Sequence, residues 1–277
     1  MNYQWFGFIG MALVLSGCGG SDSKTNHTTS STMATSSAMA SSAMTSSMMA
    51  SSTESSSSAL ASSSAMAMTR LSYSVKVTNL TTAQPLSPFA YALHKASFKP
   101  FTVGMPASMG VEVIAESGVT ADYLSEARAD VAVIIADATT GMTAPGNYKE
   151  FTLTAMVPTA EESEFYLSVL SMLVNTNDAL TGLNSLALNQ LAIGQSRTID
   201  ALSYDAGTEN NTELQASIPG PAAGGEGFNA QRDDIANQVT LHPGVITRDD
   251  GNTDSVLTQM HRWDNPVARI TITRLAP

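Results

Sequence analysis

Cysteine is nearly absent: Cys18 is the only one in 277 residues, so no disulfide within the chain is available and stability must come from a core or from bound ions. Basic residues are also scarce. The chain has 13 Lys and Arg against 24 Asp and Glu, and because only Asp22, Lys24 and Glu54 precede Arg70, the rest carries 12 against 22, a net charge of −10. Such a surface repels nucleic-acid phosphates and anionic headgroups and draws cations, so no nucleic-acid partner is expected. No apolar run reaches the roughly 20 residues that a membrane-spanning helix needs. His94, His242 and His261 stand at none of the spacings of a zinc site on one element, and the expectation for them is surface or loop. There is no Gly-x-Ser-x-Gly elbow, and Gly224-Gly225-Glu226-Gly227 follows Pro219 and Pro221 rather than a strand entering a helix. A nucleophile elbow and a phosphate cradle are therefore both set aside, and Glu226 has no placed partner that would make it a general base.

What is there begins at the front. Trp5 to Leu15 is a short apolar run, broken by Gly7 and Gly10, that leads into Leu15-Ser16-Gly17-Cys18. This resembles a bacterial lipobox, which implies cleavage of a signal peptide over 1–17 and lipidation of Cys18, with the first ten residues departing from the usual pattern by having no Lys or Arg. Two or three acyl chains anchor firmly, since each buried methylene contributes about 0.8 kcal/mol. The implied location is the cell envelope, lipid-anchored; Gly19 after the cysteine resembles the pattern sent on to the outer membrane. Residues 18–69 collapse into Ser, Ala, Met and Thr, with a loose repeat in Ser36-Ser37-Ala38-Met39-Ala40 and Ser41-Ser42-Ala43-Met44-Thr45. A segment without aromatics or a sustained apolar face cannot offset the entropy of folding, so a disordered tether is expected, with a root-mean-square span near 40 Å.

Residues 70–277 suit one domain with a real core. Alternating apolar residues predict strands at Tyr73, Val75 and Val77 and at Phe151, Leu153, Ala155 and Val157. Val131 to Ala136 reads as a fully buried strand, Phe165 to Val174 as a long one running into Asp178, and Ala268 to Leu275 as the last, with Ile270 and Ile272 inward. Pro106 to Glu116, closed by Gly118, and Thr120 to Ala129 have helical spacing and caps, and should cover one end or edge of the sheets. Ile218 to Asn265 is rich in Gly, Pro, Asp and Asn and reads as loop, with one or two strands around Val239 and Leu241. Trp263 is read as packing under the final strand.

Three acids on two loops carry the chemistry: Asp178 in Asn175-Thr176-Asn177-Asp178, and Asp205 and Glu209 in Tyr204-Asp205-Ala206-Gly207-Thr208-Glu209. Gly207 permits a tight turn that would let the carboxylates converge, with Asn210 and Asn211 adding carbonyl oxygens. Converging carboxylates repel one another unless a cation or protons intervene, and hard oxygens favour calcium. Asp, Asn and Gly also crowd into ordinary solvated turns, and on these residues alone that reading stays open.

Val77-Thr78-Asn79-Leu80-Thr81 with Gln84-Pro85-Leu86-Ser87-Pro88, then Met172 to Asp178 with Gly182-Leu183, then Tyr204 to Glu209, then Asn265-Pro266-Val267-Ala268-Arg269-Ile270-Thr271, resemble in order the motifs of the spondin N-terminal domain, over roughly 71–275. The resemblance implies an all-β fold, an eight-stranded antiparallel β-sandwich with a few short helices, holding a divalent cation among loops at one end. It matches Asp178 and Asp205 to the family's acidic ligands and puts Glu209 where Asp is usual; Glu keeps the charge and lengthens the arm by one methylene. The expectation is a lipid-anchored, calcium-binding domain without catalysis that recognises a protein or glycan surface. The alternatives are a metal-assisted hydrolase of envelope polymers and an envelope scaffold with a purely structural cation. Asn79-Leu80-Thr81 also fits a glycosylation pattern.

Overall fold

The computed structural model describes residues 66–231 and 236–277. The signal peptide over 1–17, Cys18 and the linker up to residue 65 lie outside the described residues. The linker's expected last two positions, Met68 and Thr69, are already part of the first strand, β1 (Met68–Asn79).

Two antiparallel sheets form the body. In the first, β1 lies between β4 (Tyr148–Pro158) and β10 (Ala268–Arg274), and β7 (Ser196–Ala201) pairs with the far side of β10. The second runs β3 (Val133–Ala138), β2 (Ala90–His94), β5 (Tyr166–Met172), β6 (Ala179–Ala187), β8 (Ser203–Asp205) and β9 (Thr240–Leu241). Eight of these strands have five residues or more; β8 and β9 are short additions that carry the second sheet toward the acid loops. Alternation sets the register, because the pleat sends every second side chain inward. Val75 sits opposite Ile272 on one side and Phe151 on the other, and Tyr73, Val77, Leu153, Val157, Leu167, Val169, Ile270 and Ile272 fill the space between the sheets.

The two helices close the outer face of the second sheet, where an end or edge had been expected. β2 explains why: Tyr91 and Leu93 face the sandwich core, while Ala90 and Ala92 point the other way into a second cluster with Val111, Ile114, Tyr123 and Leu124 of α1 (Met109–Ser117) and α2 (Ala121–Ala129). Small residues on that face let the helices come close. Gly118 ends α1 in the left-handed conformation, with its N–H donating to the Ile114 carbonyl at 2.8 Å. The stretch read as a fully buried strand proves to be the edge strand β3: Val131 is 99% exposed and only Ala136 within the strand is buried. A short apolar run does not say which of its faces has a neighbour.

Burial also overturns the surface or loop expectation for His94, and it gives Asn79 a structural role. His94 lies inside β2, wholly enclosed, with Nε2 2.8 Å from the Ser168 hydroxyl and Nδ1 2.8 Å from the Lys95 carbonyl. Asn79, the sequon residue, is also enclosed; its amide donates to the carbonyls of Gln84 (2.8 Å) and Thr143 (3.0 Å) and its oxygen accepts from Thr81. It ties the loop after β1 and offers nothing to a glycosylating enzyme. That loop meets the acid end, since the Gln84 amide donates to the Asn175 carbonyl at 3.2 Å and accepts from its N–H at 3.1 Å. The chain therefore enters β1 at one pole of the sandwich and leaves it at the pole of the acid loops.

Candidate metal centre

Asp178 closes the turn between β5 and β6. Thr176 shapes that turn by donating its hydroxyl to the Leu173 carbonyl at 2.6 Å and accepting from the Ala179 N–H at 3.1 Å. β8 then delivers Asp205 directly opposite Ala179, so the two carboxylates arrive side by side from neighbouring strands. Gly207, at φ +70°, folds the second loop back; a Cβ there would lie 2.5 Å from the Gln238 carbonyl oxygen, so glycine is required for both conformation and space.

The second loop wraps the first. One oxygen of Asp178, Oδ2, accepts from the backbone N–H of Thr208 (2.8 Å) and of Glu209 (3.1 Å). The other, Oδ1, is buried and has no hydrogen-bond partner. Asp205 is satisfied at both oxygens, by the Gly207 N–H at 2.8 Å and the Asn211 side-chain amide at 2.6 Å. Asn211 thus contributes a donor to the acid, where a carbonyl oxygen for a cation had been expected. Glu209 joins the site through its backbone; its carboxylate accepts from Asn177 Nδ2 at 3.4 Å, beside a shallow cavity of about 210 Å³ that Thr212, Ser217 and Asn229 also line. Among the described residues no three Asp, Glu, His or Cys side chains stand as a metal-holding group. The structure brings Asp178 and Asp205 together and places the Glu209 backbone, rather than a third convergent carboxylate, against them.

Burial and then the charge of Asp205 push the Asp178 carboxyl up to about 7, against the two backbone N–H groups that favour its anion; Glu116 adds a smaller push in the same direction. Glu116 is a further buried acid, reaching in from the end of α1 with Oε2 accepting from the Asn229 N–H at 3.0 Å. Two residues at this site escaped the sequence reading, Glu116 and His242. Glu116 belongs to the apolar face of α1 by position, and a charged residue on a core-facing stripe was the available signal. His242 follows β9, is buried, and is held down to about 4 by loss of hydration, with Asp205 opposing that shift. Its Nδ1 accepts from the Gly244 N–H at 2.9 Å, which leaves the neutral ring's proton on Nε2. His242 therefore turns a donor, and not a lone pair, toward its surroundings, and that Nε2 is itself buried without a partner. The ring packs on Trp263 at 5.1 Å, and Trp263 donates to the Ser203 hydroxyl at 3.0 Å while packing on two apolar clusters, the packing role expected of it.

A cation fits the pair in chemistry: hard oxygens, an excess of negative charge out of water, and one enclosed carboxylate oxygen with nothing to bind. The Spondin_N family model matches residues 78–220, just over half of the chain and inclusive of both acid loops. No curated protein matches the chain.

Proposed function

Since this chain belongs to the spondin N-terminal domain family, an extracellular module of the recognition or adhesion type, we propose that it is a lipid-anchored, non-catalytic envelope protein. In this reading calcium organises its loop end for contact with a protein or glycan surface. The observation that carries the proposal is the bare Oδ1 of Asp178, buried beside Asp205. A carboxylate enclosed in this way is costly unless it is protonated or paired with positive charge. Asp178 and Asp205 would hold the ion, and Glu209, whose carboxylate faces the cavity beside Asn177 in this structure, would have to turn inward to join them as the third acid. Bound calcium would supply the missing positive charge and fix the segment from Ala206 to Thr212, which borders the shallow cavity beside Asn177 and Glu209. Cys18 would provide the anchor and the residues up to 65 the reach.

Melting the purified protein in calcium, magnesium or chelator tests this. At ten times its dissociation constant, calcium raises stability by about 1.4 kcal/mol, and Asp178→Asn and Asp205→Asn lose that protection while remaining folded. Equal melting in calcium and chelator would overturn the proposal. Loss of partner binding in chelator with the fold intact favours recognition over a purely structural ion.

A further inference from the structure

Among the described residues the two sheets end in four edge strands, β3, β4, β7 and β9, and an open edge is a template for another strand unless something blunts it. Three are blunted. β3 is six residues long, its pairing with β2 is irregular at Leu93 and His94, and the Arg128 guanidinium of α2 sits on its edge, donating to the Ala136 carbonyl at 3.0 and 2.8 Å. β9 has two residues, and the residue just before it is already engaged, Val239 exchanging backbone hydrogen bonds with Gly104 and Met105. β7 carries Arg197 and Asp200 within six residues. β4 is different. It is eleven residues long, pairs with β1 in unbroken register, and from Phe151 to Pro158 has no charge.

We infer that β4 is the seat of a twofold dimer, in which β4 of a second copy pairs antiparallel with it about Leu153 and joins two four-stranded sheets into one of eight. The sequence of the strand is complementary to itself in that register. Phe151, half-buried and stacked on Tyr91 at 4.4 Å, meets the small Ala155 of the other copy, and large opposite small is how facing rows pack. On the outer face Thr152 meets Thr154, a favourable cross-strand pair. Lys149 meets Val157 and Glu150 meets Met156, so no like charges oppose each other, although each copy carries a strong negative excess. Met156, 56% exposed in the single chain, gains cover. The two Pro158 ends lie about 34 Å apart in this arrangement, well within the reach of the chain ahead of Met66. A single strand pair is a small interface, so the dimer is concentration-dependent in solution and favoured wherever the chain is crowded. The inference stands independently of the calcium reading.

Light scattering on the full chain in detergent, run across a concentration series, tests it. A protein mass that rises toward twice that of one chain is expected. Thr152→Lys/Thr154→Lys, which puts four ammonium groups around the twofold, returns it to one chain, whereas Ser196→Lys/Thr198→Lys on the opposite edge changes nothing. In a Cys18→Ser background, mixed chains carrying Thr152→Cys and Thr154→Cys join by disulfide more readily than either does alone. A mass of one chain throughout, open-ended oligomers, or a dimer that survives the β4 lysines and lacks the mixed disulfide would each overturn the inference, as would finding a different protein's strand on that edge.

Discussion

Asp178 and His242 are perturbed in opposite directions, and at residue scale this gives the metal-free protein a distinctive pH response. Asp178 is raised in the fold from 3.8 to about 7, so the folded state binds its proton more tightly than the unfolded chain. Its contribution is whole below pH 3.8 and is lost as pH rises toward 7. His242 is lowered from 6.5 to about 4; its contribution is whole above pH 6.5 and is lost as pH falls toward 4. Between about pH 4 and 6.5 the two trends oppose each other. Urea denaturation in chelator should therefore give a shallow profile for the wild type there. Asp178→Asn steepens the loss toward acid, and His242→Asn, which keeps an acceptor for the Gly244 N–H, makes the protein more stable toward acid. Parallel profiles for all three proteins would show that neither group governs this window. The meeting of Asp178 and Asp205 was legible because Asp, Asn and Gly cluster in sequence, whereas Glu116 lay hidden on a helix. His242 was hidden too, because nothing local to Leu241-His242-Pro243 reveals that a ring 21 residues away, Trp263, encloses it.

At the scale of elements, strands whose two faces differ were the easiest to read. β1, β4 and β10 alternate cleanly because their outer faces meet water, and the structure has them where the pattern does. β3 was misread because Val131 to Ala136 is apolar throughout, and periodicity cannot tell a central strand from an edge. The placement of the helices was equally hidden: it depends on Ala90 and Ala92, whose small size says little until β2 is known to lie inside the sheet. Loops that look solvated can be structural, and Asn79 makes the point. Asn79→Asp would exchange two buried amide donors for a carboxylate facing the carbonyls of Gln84 and Thr143, and leaving such groups unsatisfied costs about 1–3 kcal/mol each. A drop in the denaturation midpoint of the purified protein at neutral pH, with the strand content retained, is the expected result; an unchanged midpoint would mean that the loop after β1 is not held by this side chain.

For the whole molecule, ordered motifs set the family, while the position of the strand ends had to come from three dimensions. The chain enters the sandwich at Met68, beside Pro158, and Asn79 delivers it to the opposite pole, where the acid loops lie. A chain arriving at Met68 thus joins the sandwich at the pole away from the candidate site. Cys18→Ser should move the protein from the membrane fraction to the soluble one without altering its calcium-dependent melting; a variant that stays with membranes would show that something other than the lipid retains it.

Asp178 is sealed beneath Ala206, Gly207 and Thr208, all of them buried. On the calcium reading proposed above, an ion would reach this carboxylate only when that segment swings clear. Its arrival rate would then level off as calcium is raised, at the frequency of loop opening, and its departure would be governed by the same step. Brief changes in the calcium outside the cell would pass such a protein by, and only sustained ones would reset it.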